Sequence, residues 1–352
     1  MKNLILLSAL CLAVLSSCKK DPEPEVIPEA VTPALNKTIL TDFSTNVAGD
    51  AYAELAARTL TLYNNTLALQ ADVTDANLTL CKQNWKDARL VWEQGEAFLF
   101  GPVSTENIDP RIDTWPVNFT DLDGELLSSA VFTQDYINGL QDPLKGFHPT
   151  EYLLFGQNGN KTAAELTARQ LEYLVALTQN IKDLTAQLNS DWGPYGTSVH
   201  TAGTGSVVYP TRVSAFEELV NAMIGICDEV ANGKMYEPFI AGDASLEESP
   251  FAFNSIIDFT NNIKGVEVVY KGKFETDGHG LEDMVRVNNL SLDAEVKLAI
   301  TNAVGALQSI TVPFGQAITE QPVQVQNAID AINTLAATLE NDLLPYVQVY
   351  GN

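Results

Sequence analysis

The chain has 352 residues, 45% hydrophobic and 18% charged, with 45 Asp and Glu against 20 Lys and Arg. That length and apolar content suit one large or two ordinary domains, and exclude disordered, collagen-like and disulfide-scaffold chains. A formal charge of −25 excludes nucleic acid as a partner and makes small cations electrostatically welcome.

The opening segment reads as an address. Lys2 gives a positive start, and Leu4 to Leu15 is an apolar run too short to span a bilayer. It ends Leu15-Ser16-Ser17-Cys18, which resembles the lipobox of bacterial lipoproteins, where the cysteine is lipidated and becomes the first mature residue. Residues 1–17 are therefore expected to be a signal peptide, Cys18 the lipidation site, and 18–33, rich in Pro and Glu, an extended tether. The expected location is the bacterial cell envelope, anchored by lipid alone in the outer membrane, periplasmic or surface-exposed. Cys81 and Cys227 remain, both on apolar stripes, and are expected to be buried free thiols. The absence of a CxxC pair excludes thiolate zinc and thioredoxin-like redox sites.

From Leu35 onward the hydrophobic period is 3.6. Leu78, Cys81, Trp85, Ala88 and Trp92 form the clearest stripe; Tyr173, Leu177, Ile181, Leu184 and Leu188 form another. Phe216 to Val230, Leu292 to Leu307 and Ile329 to Leu343 repeat the pattern. Asp75 and Ser291 stand where N-caps are expected, and Pro322 suits a first turn. Val266–Tyr270 is β-like but continues a helical spacing, so it is assigned to a helix end. The fold class is all-α, with eight to ten helices. The breaker-rich stretch Asp191–Pro210 predicts a division into two packed helical bundles, 34–195 and 205–352.

Nucleophile-elbow, dinucleotide, Walker and HExxH motifs are missing, and His148, His200 and His279 are the only histidines. His148 lies in Gly146-Phe147-His148-Pro149-Thr150-Glu151. With Pro149 at the first helical position, His148 is the N-cap and Glu151 the third residue. The pair then offers two metal ligands or an acid/base couple, or Glu151 simply closes a capping box. Glu96 lies four residues after Trp92 on its apolar stripe, where a carboxylate needs a cation; Arg111 is the expected partner, in a structural pair or at a site, and Glu93 is expected to face solvent. His200 is assigned to a surface linker, and His279, between two glycines, could add a third ligand.

Trp85-x-x-Ala88-Arg89-x-x-Trp92-Glu93-x-x-Glu96, Asp109-Pro110-Arg111-Ile112-Asp113-x-Trp115-Pro116 and Gly146-x-His148-x-x-Glu151 together resemble the imelysin family, as do Gly233-Lys234-Met235 and Glu248-Ser249-Pro250-Phe251 further on. The resemblance runs from about residue 40 to the C-terminus. It implies a site at the GxHxxE motif, in a cleft between two helical bundles, with His148 and Glu151 leading and Glu96, Arg111 and Asp113 as neighbours. Ala252 replaces a small polar residue expected in relatives, which argues against a role for nearby Ser249 and Asn254. Imelysins are classed as metallopeptidases, while related lipoproteins are linked to iron uptake, with an outer-membrane transport partner compatible with that role.

Three functions follow as expectations. The first is capture of a divalent metal, iron, or of an iron-bearing small ligand, by Glu96, Asp113, His148 and Glu151. The second is a zinc peptidase using the same groups. The third is an anionic organic-ligand site with Arg111 as clamp, Trp115 as apolar wall and Gly146 in support.

Overall fold

The structure, a computed structural model, describes residues 30–352. The signal peptide, Cys18 and most of the 18–33 tether lie outside the described residues; Pro33 already opens a helix, Pro33–Asp42, capped by Thr32.

Among the described residues there is no sheet, only one isolated bridge between Lys273 and Asp277, and the fold is all-α. More helical segments form than the sequence count of eight to ten, because short turns such as Ile108–Asp113 and Phe147–Phe155 carry little periodicity. Three long helices, Ala48–Ala71, Asp75–Gly95 and Ala168–His200, pack together in the first half. Leu55, Leu62 and Leu69 meet Leu174, Ile181 and Leu188 in its core. Hydroxyl pairs bridge the seam: Thr59 to Thr185 at 2.6 Å and Thr66 to Thr178 at 2.8 Å. Each satisfies a polar group that burial would otherwise penalise.

In the second half Arg212–Asp228, Ser255–Lys271, Leu290–Gln308 and Pro322–Thr338 pack around Phe216, Met223, Val296, Ile332 and Leu335. Val266–Tyr270 lies inside the Ser255–Lys271 helix, as its spacing predicts. That helix also lies along the Asp75–Gly95 helix. A Cβ on Gly265 would sit 2.3 Å from the Gln94 carbonyl oxygen, so only glycine permits this approach. The close crossing brings Asn262 against Glu93 and Glu96, joining the two halves where the polar residues collect. Cys81 and Cys227 are buried free thiols.

Several local expectations shift. The first half of the stretch 191–210 is helix, since Ala168–His200 continues through Gly193 and Pro194 before an irregular turn leads to Thr211, the next N-cap. Tertiary packing overrides the breakers: Trp192 is buried and donates to the Ser44 carbonyl at 2.8 Å, and Val199 is buried two turns later. His200 is thus the last residue of a helix, half-buried. Thr74 rather than Asp75 caps its helix, and Asn289 rather than Ser291.

Candidate metal centre

Four segments meet at one buried point: the end of the Asp75–Gly95 helix, the short Ile108–Asp113 helix, the start of Phe147–Phe155, and the 229–258 region. Gly146 sets the third of these. It holds φ 89°, ψ −159°, a conformation open to glycine almost alone, and a Cβ there would lie 2.3 Å from the Ile112 carbonyl oxygen. The helix therefore starts one residue beyond, at Phe147, directly against Ile112-Asp113. His148 is the second helical residue and not the N-cap, and Glu151 makes no capping box: its Oε1 instead accepts the N–H groups of Phe251 (2.9 Å) and Ala252 (2.7 Å).

Arg89 is the centre of the cluster and fully buried. Its guanidinium contacts Asp113 and Glu93, donates to Glu248 Oε1 at 2.8 Å, and lies 3.8 Å from Asp258. Lys234, also buried, places Nζ 2.9 Å from Glu96 and 3.0 Å from Glu248, with the Trp115 ring beside it at 5.3 Å. It reaches in from a π-helical turn, Glu229–Met235, a widened turn common at functional sites. Trp92 Nε1 donates to Asp113 at 2.7 Å, and Asn262 Nδ2 to Glu96 at 2.6 Å. Ser249 and Asn254 hold Asp258 at 2.6 and 2.7 Å, so the neighbourhood of Ala252 serves the cluster, and Ala252 itself does so through its backbone.

Six carboxylates (Glu93, Glu96, Asp113, Glu151, Glu248, Asp258) thus face two cations in a region withdrawn from water. Such an excess is tolerated only with protons or further cations. Burial raises Asp113 to about 8 against the pull of Arg89, with Glu96 and Glu248 reinforcing the rise. Burial likewise raises Asp258 to about 6 and Glu93 well above the carboxylate range, each opposed by Arg89. Glu248 goes the other way: burial resists its charge, but Lys234 and Arg89 hold its carboxyl well below the usual range.

Ligand atoms of Asp113, His148 and Glu248 all lie within 4.8 Å of one another. His148 Nε2 is 3.1 Å from Asp113 and Nδ1 is 3.6 Å from Glu151, yet neither nitrogen makes an aligned hydrogen bond; Glu248 Oε2 also lacks a partner. These orphaned buried atoms, the two His148 ring nitrogens and Glu248 Oε2, lie beside the Asp113 carboxylate and include donors suited to a divalent ion. The pocket beside them, lined by Trp115, Val117, His148, Glu248 and Phe251, encloses about 20 Å³, room for one small species.

The expected site residues therefore divide. His148, Glu151, Asp113, Glu96, Trp115 and Gly146 converge here. Arg111 does not: its guanidinium donates to Asn138 at 3.2 Å near the surface, and Glu96 is paired by Lys234 and Asn262 instead. Glu93 is buried, not solvent-facing, because the Ser255–Lys271 helix covers that side of its own helix. His279 is half exposed and bonds Asp42 at 2.8 Å, elsewhere on the surface. Arg89, Lys234 and Glu248, which stand in the quoted motifs but carried no expected site role, complete the cluster with Asp258, which the sequence did not single out.

The Imelysin family profile matches residues 48–341. The chain belongs to the imelysin family. It is 31% identical over 327 residues to Iron-regulated protein A of Synechococcus elongatus, covering 89% of this chain and 87% of that protein. Among solved structures, a protein from Parabacteroides distasonis described as an iron-regulated protein A precursor aligns with a TM-score of 0.79 at 23% identity, over 92% of this chain and 96% of the other. An imelysin-like protein from Psychrobacter arcticum aligns at 0.76 and 12%, over 92% and 98%. These two likenesses concern the fold.

Proposed function

We propose that this imelysin-family chain captures a divalent metal ion, iron, at Asp113, His148 and Glu248, as a lipid-anchored component of metal acquisition in the cell envelope. The observation that carries the reading is the buried triad whose imidazole nitrogens and Glu248 Oε2 have no aligned partner. The surplus of buried carboxylate adds to it, since a bound dication would replace the protons those groups must otherwise hold. The relative named Iron-regulated protein A supports iron as the ion. A 20 Å³ pocket favours a bare ion over an iron-bearing organic ligand. Peptide hydrolysis ranks behind capture because a zinc peptidase must seat an extended chain against the metal, whereas His148, Asp113 and Glu248 are all buried. A site built on Arg111 loses its support, since that side chain does not line the pocket.

Chelator-treated protein titrated anaerobically with ferrous iron is expected to take up one ion per chain. His148→Ala and Glu248→Gln are expected to lower that affinity by at least about 100-fold while circular dichroism stays helical. Undiminished binding by both variants, or no uptake by the parent protein, would contradict the proposal.

The anchor half of the proposal rests on Lys2, the apolar run and Cys18. Among the described residues no helix is long and apolar enough to cross a membrane. Full-length protein expressed in a bacterium is expected in the membrane fraction, and Cys18→Ser in the soluble periplasmic fraction. Identical fractionation of the two would remove the lipid anchor from the account.

A further inference from the structure

Glu151 stands apart from the other acids. Its Oε1 accepts two backbone N–H groups, from Phe251 and Ala252, whereas Glu248 spends its ordered oxygen on Arg89 and Lys234. Its Oε2 faces His148 Nδ1 at 3.6 Å, beyond hydrogen-bond distance, and has no hydrogen-bond partner. Among the described residues Glu151 belongs to none of the three acidic or histidine triads whose ligand atoms come within 4.8 Å of one another.

The segment it grips is the one that carries Glu248. From Glu248 the chain runs irregularly to Asn254, and Phe253 within it holds φ 52°, left-handed space that a bulky side chain avoids. Such a conformation persists only when its surroundings over-determine it. Three contacts do so. Glu151 takes the Phe251 and Ala252 N–H groups, Lys86 Nζ donates to the Ala252 carbonyl at 3.2 Å, and Asn254 N–H donates back to the Ser249 carbonyl at 3.2 Å. Of the three, the first involves a fully buried charged group, and hydrogen bonds to such groups are the stronger kind.

We infer that Glu151 is a positioning residue that serves both flanks of the metal centre, Oε1 fixing the Glu248-bearing loop and Oε2 presenting negative charge to the Nδ1 edge of the His148 ring, without itself being a ligand. The inference rests on the metal-capture reading for the ligand roles of His148 and Glu248, and deepens it. A carboxylate facing Nδ1 keeps the ring proton there and leaves the Nε2 lone pair toward Asp113 and the ion, the usual carboxylate–histidine–metal relay. The HxxE spacing then has a physical meaning. On the first turns of one helix, His148 points its far nitrogen at Asp113, while the acid three residues on faces the near nitrogen and ties down a loop about 100 residues away in sequence.

The two oxygens can be separated by Glu151→Gln. Its amide oxygen can still accept from Phe251 and Ala252, but its NH₂ then faces His148 Nδ1 and drives the proton to Nε2. Glu151→Ala removes both functions. In metal-free protein, nitrogen-15 NMR reads the tautomer of His148 among only three histidines, and amide exchange reads the Phe251 and Ala252 N–H groups. Zinc titration then reads affinity. Glu151→Gln is expected to keep both amides protected, to move the His148 proton from Nδ1 to Nε2, and to weaken zinc binding about 10- to 100-fold. Glu151→Ala is expected to speed exchange of both amides at least tenfold. An unchanged His148 tautomer in Glu151→Gln, or amides as protected in Glu151→Ala as in the parent, would overturn the inference. Should Glu151→Ala fail to fold, the Glu151→Gln tautomer alone decides. Failure of the parent protein to bind zinc or iron would remove the metal reading, and the metal-free NMR would still judge the alignment role.

Discussion

Arg89→Met is expected to be the most destabilising single change in the cluster, costing about 3–5 kcal/mol at pH 7. The side-chain volume is nearly kept and the helix propensity is not harmed, so the loss is electrostatic. Removing the guanidinium leaves Glu93 and Glu248 with Lys234 as their cation and takes the Arg89 contact from Asp113 and Asp258. Its pH dependence has a defined sign. Asp113 and Asp258, with folded values of about 8 and 6, bind protons more tightly folded than unfolded. Their contribution is therefore fully present below the unfolded carboxylate range near 4, and is lost as pH rises toward 8. Glu248, held low, acts oppositely, its contribution being lost only as pH falls below about 4. Metal-free parent protein should thus gain stability from pH 8 down to pH 5, and Arg89→Met should gain more steeply, because its carboxylates lose the cation that opposed their protonation. Urea denaturation at pH 5, 6.5 and 8 checks this. An Arg89→Met protein as stable as the parent at pH 8 would mean that the ion-pair cluster is not what holds these elements together.

Gly146→Ala is expected to do comparable damage through the backbone alone. At φ 89°, ψ −159° an alanine is strained, and its Cβ would overlap the Ile112 carbonyl. Relief requires moving the start of the Phe147–Phe155 helix away from Ile112-Asp113, which separates His148 from Asp113. A stability loss of about 3 kcal/mol is expected, together with at least about a tenfold loss of iron affinity. Gly124→Ala is the control: it lies in the Phe119–Leu127 helix with no atom within 4 Å of the added carbon, so stability should hold or rise slightly. Equal effects of the two substitutions would mean that the Gly146 contact carries no special constraint.

How much of this was legible in the sequence differs by element. The long helices were, because a 3.6-residue stripe such as Trp85 to Trp92 survives any change of context. The helical run through Gly193-Pro194 was not, since its stability comes from burying Trp192 and Val199 against distant chain. His148, Glu151, Asp113 and Glu96 could be singled out from local motifs. Arg89 and Glu93 carried a readable signal that the expectation for Glu93 set aside. They stand four apart, with Glu96 three further on, on the face that also holds Trp85 and Trp92, so charges shared a stripe with the largest buried aromatics. Lys234 was not readable in this way, because the π-helical turn advances the chain by an extra residue and breaks the projection from Phe216 to Val230. Glu248 sits in irregular backbone, where no period says which way a side chain points. The partner of Glu96 was misassigned for the same reason: Arg111 was nearer in sequence, but Lys234, 138 residues on, arrives through the fold.

The most direct test of metal capture is an anomalous difference map at the iron edge, from crystals of the protein grown after equilibration with ferrous iron. The account predicts one strong peak per chain between Asp113, His148 Nε2 and Glu248 Oε2, with Glu151 still accepting from Phe251 and Ala252. No peak at that position, or iron held only by surface carboxylates, would contradict it.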